Sequence, residues 1–185
     1  MAKKKTPACR LTEPVFFVGF MGSGKSSVTR KLARICGICA LDMDSYIERL
    51  YGRAIKEIFA EEGESGFRKK ETDLLGELLE GEPRLVSCGG GVVVTDENRE
   101  MLKEHGYVVY LHVTADEAAS RIRDTSTRPL FQDLDSARRR AAEREPLYSS
   151  VADLTIDTAG KSVNSIAYEV KTALEREGIL CPQPE

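Results

Sequence analysis

The chain has no tryptophan, only two histidines, and no apolar run near the ~20 residues that cross a bilayer. The last absence argues against a membrane-spanning helix. His105 and His112 lack metal-ligand spacing and are expected to be structural. Excess positive charge is missing as well. Lys and Arg number 27 against 30 Asp and Glu, a net charge of −3, so no broad nucleic-acid interface is expected. Met1 to Glu13 contains Lys3-Lys4-Lys5 but no apolar stretch behind it, so no secretory signal is expected and a cytoplasmic location is the default. The five cysteines (Cys9, Cys36, Cys39, Cys88 and Cys181) are odd in number and, without such a signal, argue for free thiols. Cys36-Gly37-Ile38-Cys39 has the C-x-x-C form, but no second pair accompanies it, and packing is the expected role. There is no internal repeat and no low-complexity segment. What remains is 185 residues, 41% hydrophobic and 31% charged, a composition that suits one soluble domain with a full core.

Against these absences stands one strong motif, Gly19-Phe20-Met21-Gly22-Ser23-Gly24-Lys25-Ser26. It has the G-x-x-x-x-G-K-[ST] form of a phosphate-binding loop. Val15-Phe16-Phe17-Val18 runs into it as a short buried strand, and Val28, Leu32 and Ile35 share a helical face after it. Glycines let backbone N–H groups approach phosphate oxygens, and a helix N-terminus adds partial positive charge. Gly22, Ser23, Gly24, Lys25, Ser26 and Ser27 are therefore expected to cradle the phosphates of a nucleoside triphosphate. Lys25 should reach the β- and γ-phosphates, and the Ser26 hydroxyl should hold Mg²⁺.

Along the rest of the chain, strands alternate with helices about five times. Strands are expected at Ala40–Asp42, Leu85–Ser87, Tyr107–Leu111 and Asp153–Asp157, besides the first. Helices are expected at 45–51, 54–60, 64–80, 96–104, from Thr114 to about Arg123, at 136–147 and at 163–177, with a loop over 125–135. This pattern predicts an α/β fold, a parallel sheet with helices on both faces. Ligands on such sheets bind beyond the carboxyl ends of the strands. The phosphate loop, Asp42 with Asp44, and Gly89-Gly90-Gly91 all fall at strand ends, so three strands converge on one edge.

Several side chains there carry chemistry. Asp42 and Asp44, two apart where a strand breaks into a helix, could divide two jobs, one near Mg²⁺ and one on an acceptor hydroxyl. Helix capping by Asp44 explains only one of them. Arg68 is open to two readings: a solvated i,i+3 pair with Glu71, or a planar fork for a substrate carboxylate. The three glycines suit a backbone that approaches a ligand closely, or a tight turn. Arg128, in the longest unpatterned stretch, suggests a lid arginine that neutralises the transferring phosphoryl group. Arg121 could stack on adenine or face water. Arg138-Arg139-Arg140 is expected to be a solvated, partly paired face.

Taken in order, Gly19–Ser26, Leu41-Asp42-Met43-Asp44 with Ile47-Glu48, Phe67-Arg68 with Glu71, Gly89-Gly90-Gly91, Arg128-Pro129-Leu130 and Arg144 with Pro146-Leu147-Tyr148 closely resemble the shikimate kinase family, from about Val15 to Leu174. The resemblance implies a P-loop nucleoside-monophosphate-kinase-like fold: a three-layer α/β/α arrangement with a five-stranded parallel sheet, a helical substrate-binding subdomain over about 45–80 and a lid over about 124–136. Residues 1–13 would be a flexible lead-in, 14–178 one domain and 179–185 a flexible tail. It implies Mg²⁺-dependent transfer of the ATP γ-phosphoryl group to the 3-hydroxyl of shikimate, a step towards chorismate and the aromatic amino acids. Lys25, Asp44 and Arg128 would be catalytic. Asp44 would contact the shikimate hydroxyls, Arg68 and Arg144 its carboxylate, and Gly89, Gly90, Gly91, Phe59 and Phe67 would line its pocket. Ser26 and Asp42 would belong to the metal shell. Arg121 with the segment around Thr158 would flank adenine. A monomer, with no nucleic-acid or membrane partner, is expected. Two alternatives stand beside this: another small-molecule P-loop kinase of the gluconate type, and a non-catalytic sensor that binds ATP or shikimate.

Overall fold

The computed structural model describes residues 9–121 and 134–183. After a short first strand, β1 (Cys9–Leu11), β2 (Val15–Val18) enters the phosphate loop and α1 (Lys25–Cys36) leaves it. Then follow β3 (Ala40–Asp42), α2 (Met43–Tyr51), α3 (Ile55–Leu79), β4 (Leu85–Ser87), α4 (Asp96–His105) and β5 (Tyr107–His112). The chain continues with α5 (Ala115–Arg121), α6 (Leu134–Val151), β6 (Leu154–Asp157), α7 (Val163–Arg176) and β7 (Leu180–Pro182). Five strands form one parallel sheet in the order β3-β4-β2-β5-β6.

Side-chain alternation on β2 shows why the sheet is covered on both faces. Val15 and Phe17 enter an apolar cluster with Val28, Leu32, Val170 and Leu174 from α1 and α7. Phe16 and Val18 enter another with Ile47, Leu75, Leu102 and Tyr148 from α2, α3, α4 and α6. All four β2 residues are fully buried. Each contributes roughly 1.5–3 kcal/mol, which is why this strand is a continuous apolar run rather than an alternating one.

Three elements differ from the sequence expectation. The helices expected at 54–60 and 64–80 follow one track as α3, broken at Gly63 (φ 71°). Lys70 bonds Glu62 (2.5 Å) across the break, and Arg53 holds Glu61 (2.5 Å) and Glu62 (2.8 Å) on its N-terminal side. α6 begins at Leu134 and passes through Pro146 to Val151, because burial of Tyr148 and Val151 holds the last turn despite the missing N–H. Most notably, part of the expected flexible lead-in and part of the expected flexible tail pair as an antiparallel ribbon, with Cys9 opposite Pro182 and Leu11 opposite Leu180. Leu11 and Leu180 bury against the α1/α7 cluster, and that burial holds the two strands of the ribbon in place.

The expected lid lies outside the described residues as far as residue 133, Arg128 included; residues 134–136 open α6. Among the described residues no helix is long and apolar enough to cross a membrane. Cys9, Cys36, Cys39, Cys88 and Cys181 are all free thiols. Cys36 packs in the core, whereas Cys39 is exposed rather than packed.

Candidate active site

The phosphate loop is shaped by glycine geometry. Gly22 has φ 80° and would press an added Cβ onto Ala118 of α5. Gly24, at φ 93°, caps α1 without any side chain, and the first turn of α1 contains no acidic residue, so nothing there competes with a phosphate. Lys25 is buried and curls back into the loop, donating to the Gly19 carbonyl (2.7 Å) and the Phe20 carbonyl (3.1 Å). Among the described residues the buried Ser23 hydroxyl has no hydrogen-bond partner, and Ser27 is exposed on the first turn.

Beside the loop, Ser26 Oγ donates to Asp42 Oδ2 (2.6 Å) and lies 3.2 Å from Ser87 Oγ. Asp42 Oδ1 accepts the Ser45 N–H (3.1 Å), so Asp42, not Asp44, caps α2. Burial works to raise the Asp42 carboxyl, but hydrogen bonds from the Ser26 hydroxyl, the Ser45 N–H and the Ser87 hydroxyl outweigh it and hold the group below the ordinary aspartate value. The corner is therefore an ionised carboxylate among hydroxyls. These are hard oxygen donors that suit Mg²⁺, which is commonly held by one or two protein oxygens together with substrate phosphates. The neighbouring Cys88 does not join them, because burial pushes its thiol well up and keeps it protonated. Ser87 was not singled out from the sequence. Its signal was a small hydroxyl ending an apolar strand, which the parallel register then sets opposite Asp42.

The acceptor side is assembled from distant segments. An added Cβ on Gly89 would strike the Glu71 carboxylate and lie 2.9 Å from Asp44 Oδ1, so those two acids face each other across this glycine. An added Cβ on Gly91 would fall on the Arg68 guanidinium. Gly90 borders the phosphate loop: its Cβ position is 3.7 Å from the Gly19 carbonyl oxygen and 3.6 Å from the Met21 nitrogen. Its carbonyl accepts from Arg144 Nη1 (3.2 Å) and from the Tyr148 hydroxyl. Phe59 and Phe67 pack with ring centroids 4.7 Å apart and planes tilted by 34°, and Arg68 Cζ sits 5.5 Å from the Phe67 ring.

Arg68 is paired with Glu71, as the simpler sequence reading held, but the pair is not solvated. Glu71 is fully buried and bonds Arg68 through Oε2, while its Oε1 has no hydrogen-bond partner among the described residues. Arg68 Nη2 also reaches Glu64 (2.8 Å). Burial raises the Glu71 carboxyl to about 7 against the pull of Arg68, and the charge of Asp44 adds to the rise. On Arg68, burial works downward and is outweighed by Glu71 and Glu64, so the guanidinium stays charged. Periodicity offered a signal for Glu71: it lies on the apolar stripe of α3 with Phe67, Leu74, Leu75 and Leu78.

At the other end, Arg121 donates to Thr158 Oγ1 and to the Thr158 carbonyl, both at 2.9 Å, joining the two segments expected to flank adenine. Arg138 pairs with Asp116 (2.6 Å) and Asp135 (3.1 Å) on an exposed face. Among the described residues no group of three or more His, Cys, Asp or Glu side chains could hold a metal ion.

This geometry can be set against known proteins. A protein-family model described as Shikimate kinase matches residues 21–175. The chain belongs to the shikimate kinase family. It is 40% identical over 178 residues to a shikimate kinase of Halorhodospira halophila, covering 95% of this chain and 98% of that one. It is 42% identical over 178 residues to one of Geobacter metallireducens, covering 95% and 99%. Among solved structures it resembles the shikimate kinase of Acinetobacter baumannii in complex with shikimate, with a TM-score of 0.84 and 36% identity over 89% of this chain and 94% of that one. As a shikimate kinase, the enzyme is an ATP-dependent phosphotransferase acting on a hydroxyl group. The parallel sheet flanked by helices is the P-loop kinase fold that the sequence implied.

Proposed function

We propose that the cleft divides into a donor half (Gly19–Ser27, Asp42, Arg121) and an acceptor half (Asp44, Phe59, Phe67, Arg68, Gly89–Gly91, Arg144), in which the shikimate 3-hydroxyl takes the ATP γ-phosphoryl group. One observation carries this reading: Gly90 borders the phosphate loop on one side while its neighbours Gly89 and Gly91 abut Asp44, Glu71 and Arg68 on the other. A phosphate held at the loop and a small acid held by the arginines would thus be adjacent.

In this reading Lys25 turns from the Gly19 and Phe20 carbonyls onto the β- and γ-phosphates. Ser26 and Asp42 would hold a magnesium ion, whose charge offsets that of the phosphates. Asp44 accepts a hydrogen bond from the shikimate 3-hydroxyl and takes its proton as transfer proceeds. Arg68 and Arg144 grip the carboxylate through charge-assisted bonds, and the Phe59–Phe67 pair forms an apolar wall. Arg128, outside the described residues, is assigned to the transferring phosphoryl group on sequence grounds. Arg121 and Thr158 flank the adenine.

The test is ADP release by purified protein with Mg·ATP and a panel of shikimate, quinate, gluconate and nucleoside monophosphates. Shikimate-dependent ADP is expected, with little from the others. Its absence would reject both the acceptor assignment and catalysis. Turnover with gluconate in its place would favour the gluconate-type alternative.

A further inference from the structure

Tyr148 closes the sequence block Glu145-Pro146-Leu147-Tyr148, and the roles above leave it unused. It is almost completely buried, 1% exposed, near the end of α6. Its ring stacks on Tyr110 of β5 with centroids 5.2 Å apart and planes at 25°, so its direction is set by the sheet itself. Its hydroxyl donates to the Gly90 carbonyl. That same oxygen accepts Arg144 Nη1 from one turn earlier on α6. A carbonyl oxygen has two lone pairs, so both donors can be satisfied at once. Burial holds the phenol well above its ordinary value, so it remains an O–H donor at any pH at which the enzyme works.

We infer that Tyr148 is a positioning residue for the acceptor: its hydroxyl fixes the Gly90 carbonyl, and that carbonyl aims Arg144 at the substrate carboxylate. A guanidinium has five N–H groups. One spent on a fixed carbonyl sets the plane and leaves the others aimed into the cleft. Without the phenol, the glycine peptide, which carries no side chain of its own to anchor it, turns more freely, and Arg144 loses its reference point. Tyr148 touches no reacting atom and acts through Gly90 and Arg144. The inference rests on the assignment of Arg144 to the shikimate carboxylate.

Y148F tests it, because the ring and its stacking on Tyr110 are kept while one oxygen is removed. Losing one hydrogen bond of ordinary strength predicts a shikimate KM raised about 2- to 13-fold, with kcat and the ATP KM unchanged. A purely structural role would instead lower Tm and raise both KM values together. R144K supplies the second arm. If Tyr148 acts through Arg144, the double variant Y148F/R144K has a shikimate KM no higher than R144K alone; multiplied effects would overturn the inference. An unchanged shikimate KM in Y148F would overturn it, and so would loss of cooperative unfolding in Y148F, which would make the hydroxyl a support of the fold. No shikimate-dependent turnover in the unmodified enzyme would strike the underlying functional reading instead, so the two failures are distinguishable.

Discussion

The cleft has two glycine-rich strand ends, and they use glycine for different reasons. In the phosphate loop, Gly19, Gly22 and Gly24 stand at φ 141°, 80° and 93°, where side-chain-bearing residues are strained. In Gly89-Gly90-Gly91 no φ is positive. There, hydrogen in place of Cβ leaves room for Glu71, Asp44 and Arg68, which arrive from α2 and α3. One loop is a backbone shape encoded locally. The other is a vacancy that remote side chains fill. Substitutions on the donor side should therefore act through backbone conformation, and those on the acceptor side through the side chains that meet there.

The strongest break is D44N. Losing a positioned carboxylate at the acceptor hydroxyl is expected to lower kcat by about 10²–10⁴ while leaving ATP affinity near normal, as read by calorimetry with a non-hydrolysable ATP analogue. Near-normal turnover would remove Asp44 from its proton-accepting role.

Paired glycine variants test the comparison directly. G22A places a methyl at φ 80° against Ala118 and is expected to weaken ATP binding roughly tenfold or more, at about 1–2 kcal/mol of backbone strain. G89A should spare ATP affinity and raise the shikimate KM by at least as much, because its methyl meets the Glu71 carboxylate and Asp44. If both variants lose the same ligand, the division into halves fails.

For Arg68, burial of its partner changes which variant is informative. R68A would take the cation away from the fully buried Glu71 and mix stability with binding. R68K keeps the charge and removes the planar fork. It is expected to raise the shikimate KM about tenfold with the ATP KM unchanged. An unchanged shikimate KM would return Arg68 to a purely structural pair.

The same contrast explains what was legible in the sequence. The phosphate loop, its strand and its helix lie within some twenty residues, and their spacing carries their geometry. Alternation of strands and helices predicted the sheet because the buried segments are strongly patterned. The acceptor half was legible only as scattered residues. That Asp42 is the cap, that Glu71 is buried, and that Ser87 and Tyr148 bond Ser26 and Gly90 all depend on tertiary register. The ribbon of β1 and β7 was missed because two three-residue strands at opposite ends of the chain carry no local pairing signal. Glu71 could have been noticed, since a single carboxylate on an apolar helical stripe needs a partner.

Glu71 also supplies the smallest effect, and its sign separates the halves once more. Its carboxyl titrates near 4.5 when unfolded and is raised to about 7 in the fold. Between those values the native state binds more protons than the unfolded one. The contribution of Glu71 to stability is therefore full below about pH 4.5 and is lost as pH rises through about 7. Asp42 runs the other way: its folded value is depressed, so its contribution is present at neutral pH and is lost in acid, below the ordinary aspartate range. The two windows do not overlap. E71Q should remove only the upper one, so the stability of E71Q relative to the unmodified enzyme becomes more favourable from pH 5 to pH 7.5, by on the order of 1–2 kcal/mol or a few degrees in Tm. Thermal unfolding at several pH values in that interval measures it. A difference that stays flat, or that grows towards acid, would mean that Glu71 is ionised throughout, its burial fully offset by Arg68. The acceptor half would then carry a fixed ion pair where the present geometry, with Glu71 Oε1 buried and unpartnered among the described residues, calls for a proton.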